Sequence, residues 1–230
     1  TGSAHWIGPL FDKVTYDPIR DFAPITLIDR APSVLVVHPS MPVKSVRQLV
    51  ALAKAKPGQL NFSVGGTGTS NYIAAIMFNQ MAGVNVVRIP YKGTGPALAA
   101  VMTGEVHAMF GSAGGAAPHV QSGRLRALAV GSAQPSPLAP GIPTLEASGL
   151  PGFLSEALHA LFAPAGTPQP IVMRLNQEVT KYLRSPEAGD IFLKAGIEVA
   201  PGTPEELTAT MRSEVARIEK MIKAGGSGAQ

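Results

Sequence analysis

Short β-branched segments alternate with helical patterns through the middle of this chain, and this alternation restricts its fold more than any other feature. Residues 34–37 are predicted to form a strand, and Ser45 begins a helix with capping-box spacing to Gln48. Further strands are predicted at residues 60–64, 84–89, 106–110 and 125–130. Because helical segments separate these strands, we predict an α/β fold with mostly parallel sheets that helices cover on both faces.

A glycine-rich loop, Gly65–Ser70, lies between a predicted strand and a predicted helix. Its amides and the first-turn amides of the helix can converge on an anion. The loop lacks the lysine of a nucleotide-binding P-loop, and Asn71 stands where the dinucleotide fingerprint has its third glycine. Two interpretations remain open, a tight turn without a ligand or an anion site formed by Gly66, Thr67, Gly68, Thr69 and Ser70.

A second small-residue segment, Gly111–Gly115, follows the predicted strand at residues 106–110. Ligands of parallel sheets bind beyond the carboxyl ends of the strands. Gly111 and Ser112 are therefore candidate ligand contacts, although a turn without a ligand explains the same glycines.

The pattern changes on both sides of this α/β region. A long apolar stretch at residues 153–162 leads into three predicted helices, whose capping residues Thr167, Ser185 and Thr203 are each followed by proline. Glu206 adds the third-position glutamate of a capping box to the last of these helices. The α/β region is thus inserted between two flanking segments, as hinged two-lobed binding proteins require. We predict that residues 1–31 and 161–230 form one lobe and that residues 32–160, including the hinge segments, form the other.

The charged residues are unevenly distributed. Residues 38–152 contain eight Lys and Arg but only two acidic residues, while the whole chain has a formal net charge of +4. The excess reflects either solvated helix faces or a lobe whose field attracts small anions. The modest total charge does not indicate a nucleic-acid partner.

Catalytic patterns are weak in this sequence. The five histidines show no metal-ligand spacing and no neighbouring pair of acidic residues, and no serine lies in a Gly-x-Ser-x-Gly elbow. The absence of cysteine excludes disulfides and thiolate sites within the chain. We therefore expect no enzyme activity, metal or cofactor. The rival interpretation is an α/β enzyme that acts on acyl or phosphoryl groups at the Gly65–Ser70 loop.

The Gly65–Ser70 loop belongs to a series of segments that covers nearly the whole chain. The others are Tyr16–Ile25, Ile89–Gly93, Pro96–Leu98, Gly123–Val130, Ile142–Glu146 and Ala163–Pro168. In this order, the segments resemble the substrate-binding proteins of tripartite tricarboxylate transporters, also called the Bug family.

The resemblance implies a periplasmic binding protein with the two-lobed Venus flytrap fold of type II. Such a protein captures a small organic acid and delivers it to a membrane permease. The ligand carboxylate would contact Thr67, Gly68, Thr69 and Ser70 on the inserted lobe, and Ser3, Ala4 and His5 on the other lobe. A sensor that binds a carboxylate and signals to a membrane receptor is the alternative function.

Two departures from the family pattern lead to further expectations. Gly111 stands where many relatives have an aspartate, so a plain or aromatic acid is expected over a ligand with an ammonium group. Relatives also have a further segment before the position of Thr1, so we expect one lobe to be truncated. Truncation would favour a homodimer through exposed apolar side chains, with Val172, Leu175, Val179 and Leu207 as the side chains at risk.

Overall fold

The computed structural model describes Gly2 and residues 4–224, and the chain divides into two compact units. The inserted unit is Ala31–Glu156, and the flanking unit consists of the residues before and after it. A single strand of 16 residues, β1 (Phe22–Val37), belongs in part to each unit. The sequence predicts a strand only at residues 34–37, which are the last four residues of β1. Pro24 and Pro32 both lie within β1.

The other elements follow in chain order. The inserted unit contains α2 (Val46–Ala55), β2 (Asn61–Val64), α3 (Ser70–Ala82), β3 (Val87–Pro90), α4 (Thr94–Met102), β4 (Ala108–Ser112), α5 (Ala113–Gln121) and β5 (Arg126–Val130). The flanking unit contains α1 (Ala4–Ile7), a short 3-10 helix (Gly8–Leu10), α6 (Gln169–Leu183), α7 (Pro186–Lys194), β7 (Glu198–Val199) and α8 (Pro204–Ala224). Strand β6 (Glu156–Pro164) begins at the last residue of the inserted unit.

The sheet of the inserted unit is mixed. Its strand order is β3-β2-β4-β1-β5. β2 is parallel to β3 and to β4, as expected for strands that helical crossovers connect. β1 runs antiparallel to β4 and β5. In the flanking unit, the first half of β1 pairs with β6 and with β7.

The two faces of this sheet bury different side chains. Met109 faces an aliphatic cluster that includes Leu98 of α4 and Ala116 of α5. Phe110, the next residue of β4, lies 5.4 Å from Phe62 and 6.0 Å from Phe78 between ring centroids. This alternation along β4 places α4 and α5 on one face and α3 on the other.

Three backbone hydrogen bonds join separate parts of the inserted unit at one place. The Ser33 amide donates to Ser155 O at 3.0 Å, the Gly131 amide to Ser33 O at 2.7 Å, and the Ser155 amide to Gly131 O at 2.8 Å. A Cβ atom on Gly131 would clash with the Ser33 hydroxyl and with Ser155 O. Glycine is therefore required where these three segments meet.

Polar contacts tie the flanking unit together across long sequence separations. The indole Nε1 of Trp6 donates to Glu214 Oε2 at 2.8 Å and so links α1 to α8. The Asn176 side chain on α6 donates to Ile25 O in β1 and to Gly202 O, both at 2.8 Å. These bonds fix α6 against β1 and against the segment that precedes α8.

The helix starts follow the predicted caps in most cases. Ser45 accepts a hydrogen bond from the Gln48 amide, and Thr203 and Glu206 form the predicted reciprocal capping box at α8. The cap predicted at Thr167 is wrong, because its hydroxyl donates to Pro164 O and α6 begins at Gln169.

The apolar side chains predicted to be at risk of exposure behave differently from one another. Val172 and Leu207 are 2% and 1% exposed, so they lie in the core of the flanking unit. Leu175 is exposed, together with Ile171 and Tyr182 on the same face of α6. In the part of the chain that the structure describes, no helix combines the length and the apolar character needed to span a membrane.

Candidate functional site

The Gly65–Ser70 loop leaves the carboxyl end of β2 and enters the first turn of α3. Gly68 has φ of 80°, a left-handed conformation that glycine adopts without the steric penalty of a side chain. Gly66 and Thr67 are exposed, and Ser70 is the first residue of the helix. Gly65 and Gly68 are buried, so the loop exposes Gly66 and Thr67 to solvent beside a helix N-terminus.

Asn71 and Thr69 organise this loop from inside. Asn71 Oδ1 accepts hydrogen bonds from the Gly65 amide at 3.2 Å and from the Thr69 hydroxyl at 2.6 Å. The Thr69 hydroxyl also lies 2.7 Å from Gly66 O. Its single proton is therefore engaged within the loop, and the predicted contact between Thr69 and a ligand stays a prediction.

Other donors of the loop remain available. The first helical hydrogen bond of α3 runs from the Ile73 amide to Thr69 O, so the Ser70 and Asn71 amides have no intrahelical acceptor. Among the residues described, the hydroxyl groups of Thr67 and Ser70 make no hydrogen bond. These amides and hydroxyl groups can together donate hydrogen bonds to one carboxylate group.

The second small-residue segment, Gly111–Gly115, does not form a loop between β4 and α5. Gly111 and Ser112 are the last residues of β4, and α5 begins at the next residue. Ser112 is exposed and caps α5 by accepting a hydrogen bond from the Gly115 amide at 3.2 Å. A Cβ atom on Gly111 would lie 3.8 Å from Leu98 Cδ1, so this position faces the aliphatic core of the unit.

Three helices begin at the same edge of the sheet. β3, β2 and β4 are parallel neighbours, about 4.8 Å apart. They are followed by α4, α3 and α5. The Gly65–Ser70 loop and Ser112 therefore lie close together, and exposed Lys92 precedes α4 on the other side of β2. Helix N-termini carry partial positive charge, so this edge favours an anion.

The remaining predicted contacts lie in the flanking unit. Ser3 lies outside the described residues, and Ala4 is the exposed first residue of α1. His5 stacks on Tyr16, with ring centroids 5.0 Å apart, and its buried Nε2 has no hydrogen-bond partner in the described part of the chain. Burial lowers the pKa of His5, which favours the neutral form of its ring.

An open pocket of about 510 Å³ lies beside His5 in the flanking unit. Tyr16, Phe22 and Phe162 contribute aromatic walls, and Asp21 contributes a carboxylate. The Asp21 carboxylate already accepts hydrogen bonds from the Asp17 amide and from Arg20 Nε, both at 2.8 Å. His5 is thus placed in an aromatic and mainly apolar setting.

No group of three or more His, Cys, Asp or Glu side chains within Gly2 and residues 4–224 is arranged to hold a metal ion. The Nδ1 atom of His107 accepts a hydrogen bond from the Asn61 amide, and burial lowers the pKa of this histidine. His38 Nδ1 lies 2.7 Å from the Ser40 hydroxyl. These two histidines have local structural partners.

A family model described as "Tripartite tricarboxylate transporter family receptor" matches residues 3–226. A protein of Pseudomonas sp. (strain P51), "UPF0065 protein in tcbD-tcbE intergenic region", is 37% identical over 213 residues, which are 92% of this chain and 63% of that protein. Protein BugT of Bordetella pertussis is 29% identical over 95% of this chain and 67% of its own length. The chain thus spans about two thirds of the length of these relatives.

Solved structures match over nearly the whole chain. The R. palustris protein Rpa4515 with adipate has 32% identity and a TM-score of 0.90, and the match covers 98% of this chain and 76% of that one. MatC from Rhodopseudomonas palustris with bound malate has 30% identity, a TM-score of 0.82 and coverage of 96% and 75%. The periplasmic binding protein BugD has 28% identity, a TM-score of 0.86 and coverage of 98% and 76%.

Proposed function

The chain belongs to the tripartite tricarboxylate transporter receptor family, and from this premise we propose that it is an extracytoplasmic solute-binding protein for a small carboxylate. It has the α/β fold of the periplasmic binding proteins in that family. In the proposed function, the protein binds the acid reversibly and releases it unchanged to the permease of a tripartite transporter. The protein would act in the periplasm, where BugD is described as acting.

The sheet edge where α3, α4 and α5 begin carries this proposal. It presents free amides at Ser70 and Asn71, hydroxyl groups at Thr67 and Ser112, and the ammonium group of Lys92. Hydrogen bonds to a charged acceptor are stronger than those between neutral groups. The chemistry therefore suits a carboxylate, and two relatives in the family were solved with the carboxylates adipate and malate.

Hydrolytic chemistry is less well supported at this edge. Ser112 is exposed at this edge, but its hydroxyl caps α5 and no histidine or carboxylate among the described residues is bonded to it. Thr69 donates its proton within the loop. A nucleophile requires an adjacent base, so we propose binding without turnover.

Calorimetric titration of this chain with mono-, di- and tricarboxylates tests the proposal. We expect at least one acid to bind with micromolar affinity or better, which corresponds to about −8 kcal/mol. A neutral sugar and a diamine serve as controls. Binding of a control compound together with silence from every acid would contradict the carboxylate assignment.

The two partner assignments need separate measurements. Copurification with the permease, with and without the acid that calorimetry identifies, tests the transport role. Binding to a membrane receptor instead would favour the sensor alternative. The homodimer stays a prediction, and light scattering coupled to gel filtration decides it.

A further inference from the structure

The Asn71 carboxamide lies at the base of the Gly65–Ser70 loop, and only one of its two polar atoms is used. Asn71 is 7% exposed. Its Oδ1 accepts hydrogen bonds from the Gly65 amide and the Thr69 hydroxyl. Its Nδ2 makes no hydrogen bond to any residue that the structure describes. A side chain buried to this degree normally satisfies both groups.

The orientation of the carboxamide follows from its neighbours. The Gly65 amide can only donate, so the atom that faces it 3.2 Å away must be the oxygen. Exchanging the two atoms would set two N–H groups against each other. The free donor of Asn71 is therefore its Nδ2 group.

This free donor keeps some exposure to solvent. The Nδ2 atom of Asn71 is not fully enclosed by protein, in contrast to the unpartnered hydroxyl of Ser33. Because Nδ2 and Oδ1 belong to one planar group, Nδ2 lies beside the loop that Oδ1 organises. Gly65 permits this approach, since a Cβ atom there would lie 3.3 Å from Asn71 Oδ1 and 3.2 Å from Thr69 Oγ1.

We propose that Asn71 binds the carboxylate ligand through Nδ2 while its Oδ1 holds the Gly65–Ser70 loop in shape. This inference rests on the proposed function, since it assigns a further contact within the same site. The Asn71 backbone amide is also free of an intrahelical acceptor. One residue thereby offers the ligand both a backbone donor and a side-chain donor.

Asn71→Asp separates the two roles. The aspartate keeps an oxygen that accepts from Gly65 and Thr69, and a negative charge in the first turn of α3 is favourable for the helix. It has no N–H donor, and its charge repels a carboxylate. Asn71→Ala removes both the loop acceptor and the ligand donor.

Asn79 supplies a matched control on the same helix. Its Nδ2 donates to Val86 O at 2.8 Å, and its Oδ1 accepts from the Val86 amide at 3.1 Å. Asn79→Asp therefore makes the same chemical change near the opposite end of α3. It breaks a bond internal to the protein and leaves the loop intact.

The experiment combines calorimetry with adipate and malate and amide hydrogen exchange at Gly65. We expect Asn71→Asp to lower the affinity by at least about 10- to 100-fold, because a lost hydrogen bond to a charged group accounts for that range and charge repulsion adds to it. Exchange at Gly65 should be unchanged. Asn71→Ala should also accelerate exchange at Gly65. Asn79→Asp should leave both measurements unchanged.

Three outcomes count against the inference, and they are distinguishable. Unchanged affinity in Asn71→Asp overturns the donor role. Unchanged exchange at Gly65 in Asn71→Ala overturns the loop role. If the unmodified chain binds no acid of the panel, the proposed function fails and the donor role fails with it, while hydrogen exchange still decides the loop role.

Discussion

His159 Nδ1 lies 2.7 Å from Asp29 Oδ1, and this pair connects β6 to β1 within the flanking unit. The Asp29 side chain is 6% exposed, whereas that of His159 is 48% exposed. Burying a carboxylate without a hydrogen-bond partner costs free energy, so loss of this contact is more costly for buried Asp29 than for half-exposed His159.

We expect His159→Ala to lower the free energy of unfolding by about 1–3 kcal/mol, because it leaves the Asp29 carboxylate without this partner. Urea denaturation measures the change. Asp29→Asn combined with His159→Ala should cost less than the sum of the two single changes. Additive costs in this cycle would show that the two side chains do not interact.

The two hydroxyl residues at the start of α3 should respond differently to substitution. Ser70→Ala should weaken carboxylate binding about tenfold or more and leave stability within about 0.5 kcal/mol, because its hydroxyl has no partner in the described chain. Thr69→Val, in contrast, should lower the free energy of unfolding by about 0.5–1.5 kcal/mol, because it removes the hydroxyl contacts with Gly66 O and Asn71 Oδ1. Calorimetry and urea denaturation of both variants provide the test. Loss of stability in Ser70→Ala with full affinity would assign Ser70 to helix capping.

Gly131→Ala should destabilise the protein by about 1–3 kcal/mol or more. The added Cβ would lie 2.6 Å from Ser155 O, a backbone atom that cannot turn away. Gly189→Ala in α7 is the matched control, because a Cβ there meets no atom within 4 Å. The control should stabilise α7 by about 0.5–1 kcal/mol. Equal thermal midpoints for the two variants would refute the steric argument.

The free energy of unfolding should decrease as the pH falls below about 6.5, the ordinary pKa of histidine. Burial lowers the pKa of His107 in the folded state, so the unfolded chain binds more protons between that lowered pKa and the ordinary value of 6.5. His107→Asn should reduce this loss, because the amide oxygen can accept from Asn61 without titrating. Urea denaturation from pH 8 to pH 5 gives the comparison. His5, whose pKa is also lowered by burial, titrates equally in both proteins. An identical pH profile for the variant would exclude His107 as a source.

Local patterns predicted much of the inserted unit, because its signals are short-range. Two local predictions hold: Ser45 caps α2 by accepting from the Gln48 amide, and a helix begins directly after the Gly65–Ser70 loop. The continuity of β1 was missed because its first half is defined by pairing with β6 and β7, which lie far away in sequence.

The site was only partly predictable, because the contacts that shape it depend on side-chain conformation. The hydroxyl-rich loop is visible in the sequence, but its internal use of Thr69 depends on the Asn71 side chain turning back toward Gly65. The position of Asn71 in the first helical turn, two residues after Thr69, was the available signal. The dinucleotide fingerprint has a glycine at this position, so that comparison carries no information on the hydrogen bonds of an asparagine side chain.

The bond from the Ser33 amide to Ser155 O brings the two ends of the inserted unit side by side. A segment whose ends meet can be spliced into a surface loop of a host protein without forcing the host strands apart. The two ends of residues 31–156 therefore have the close spacing that insertion into a host loop requires. A fusion of this kind would need only a short connector at each end, because the two ends already lie next to each other.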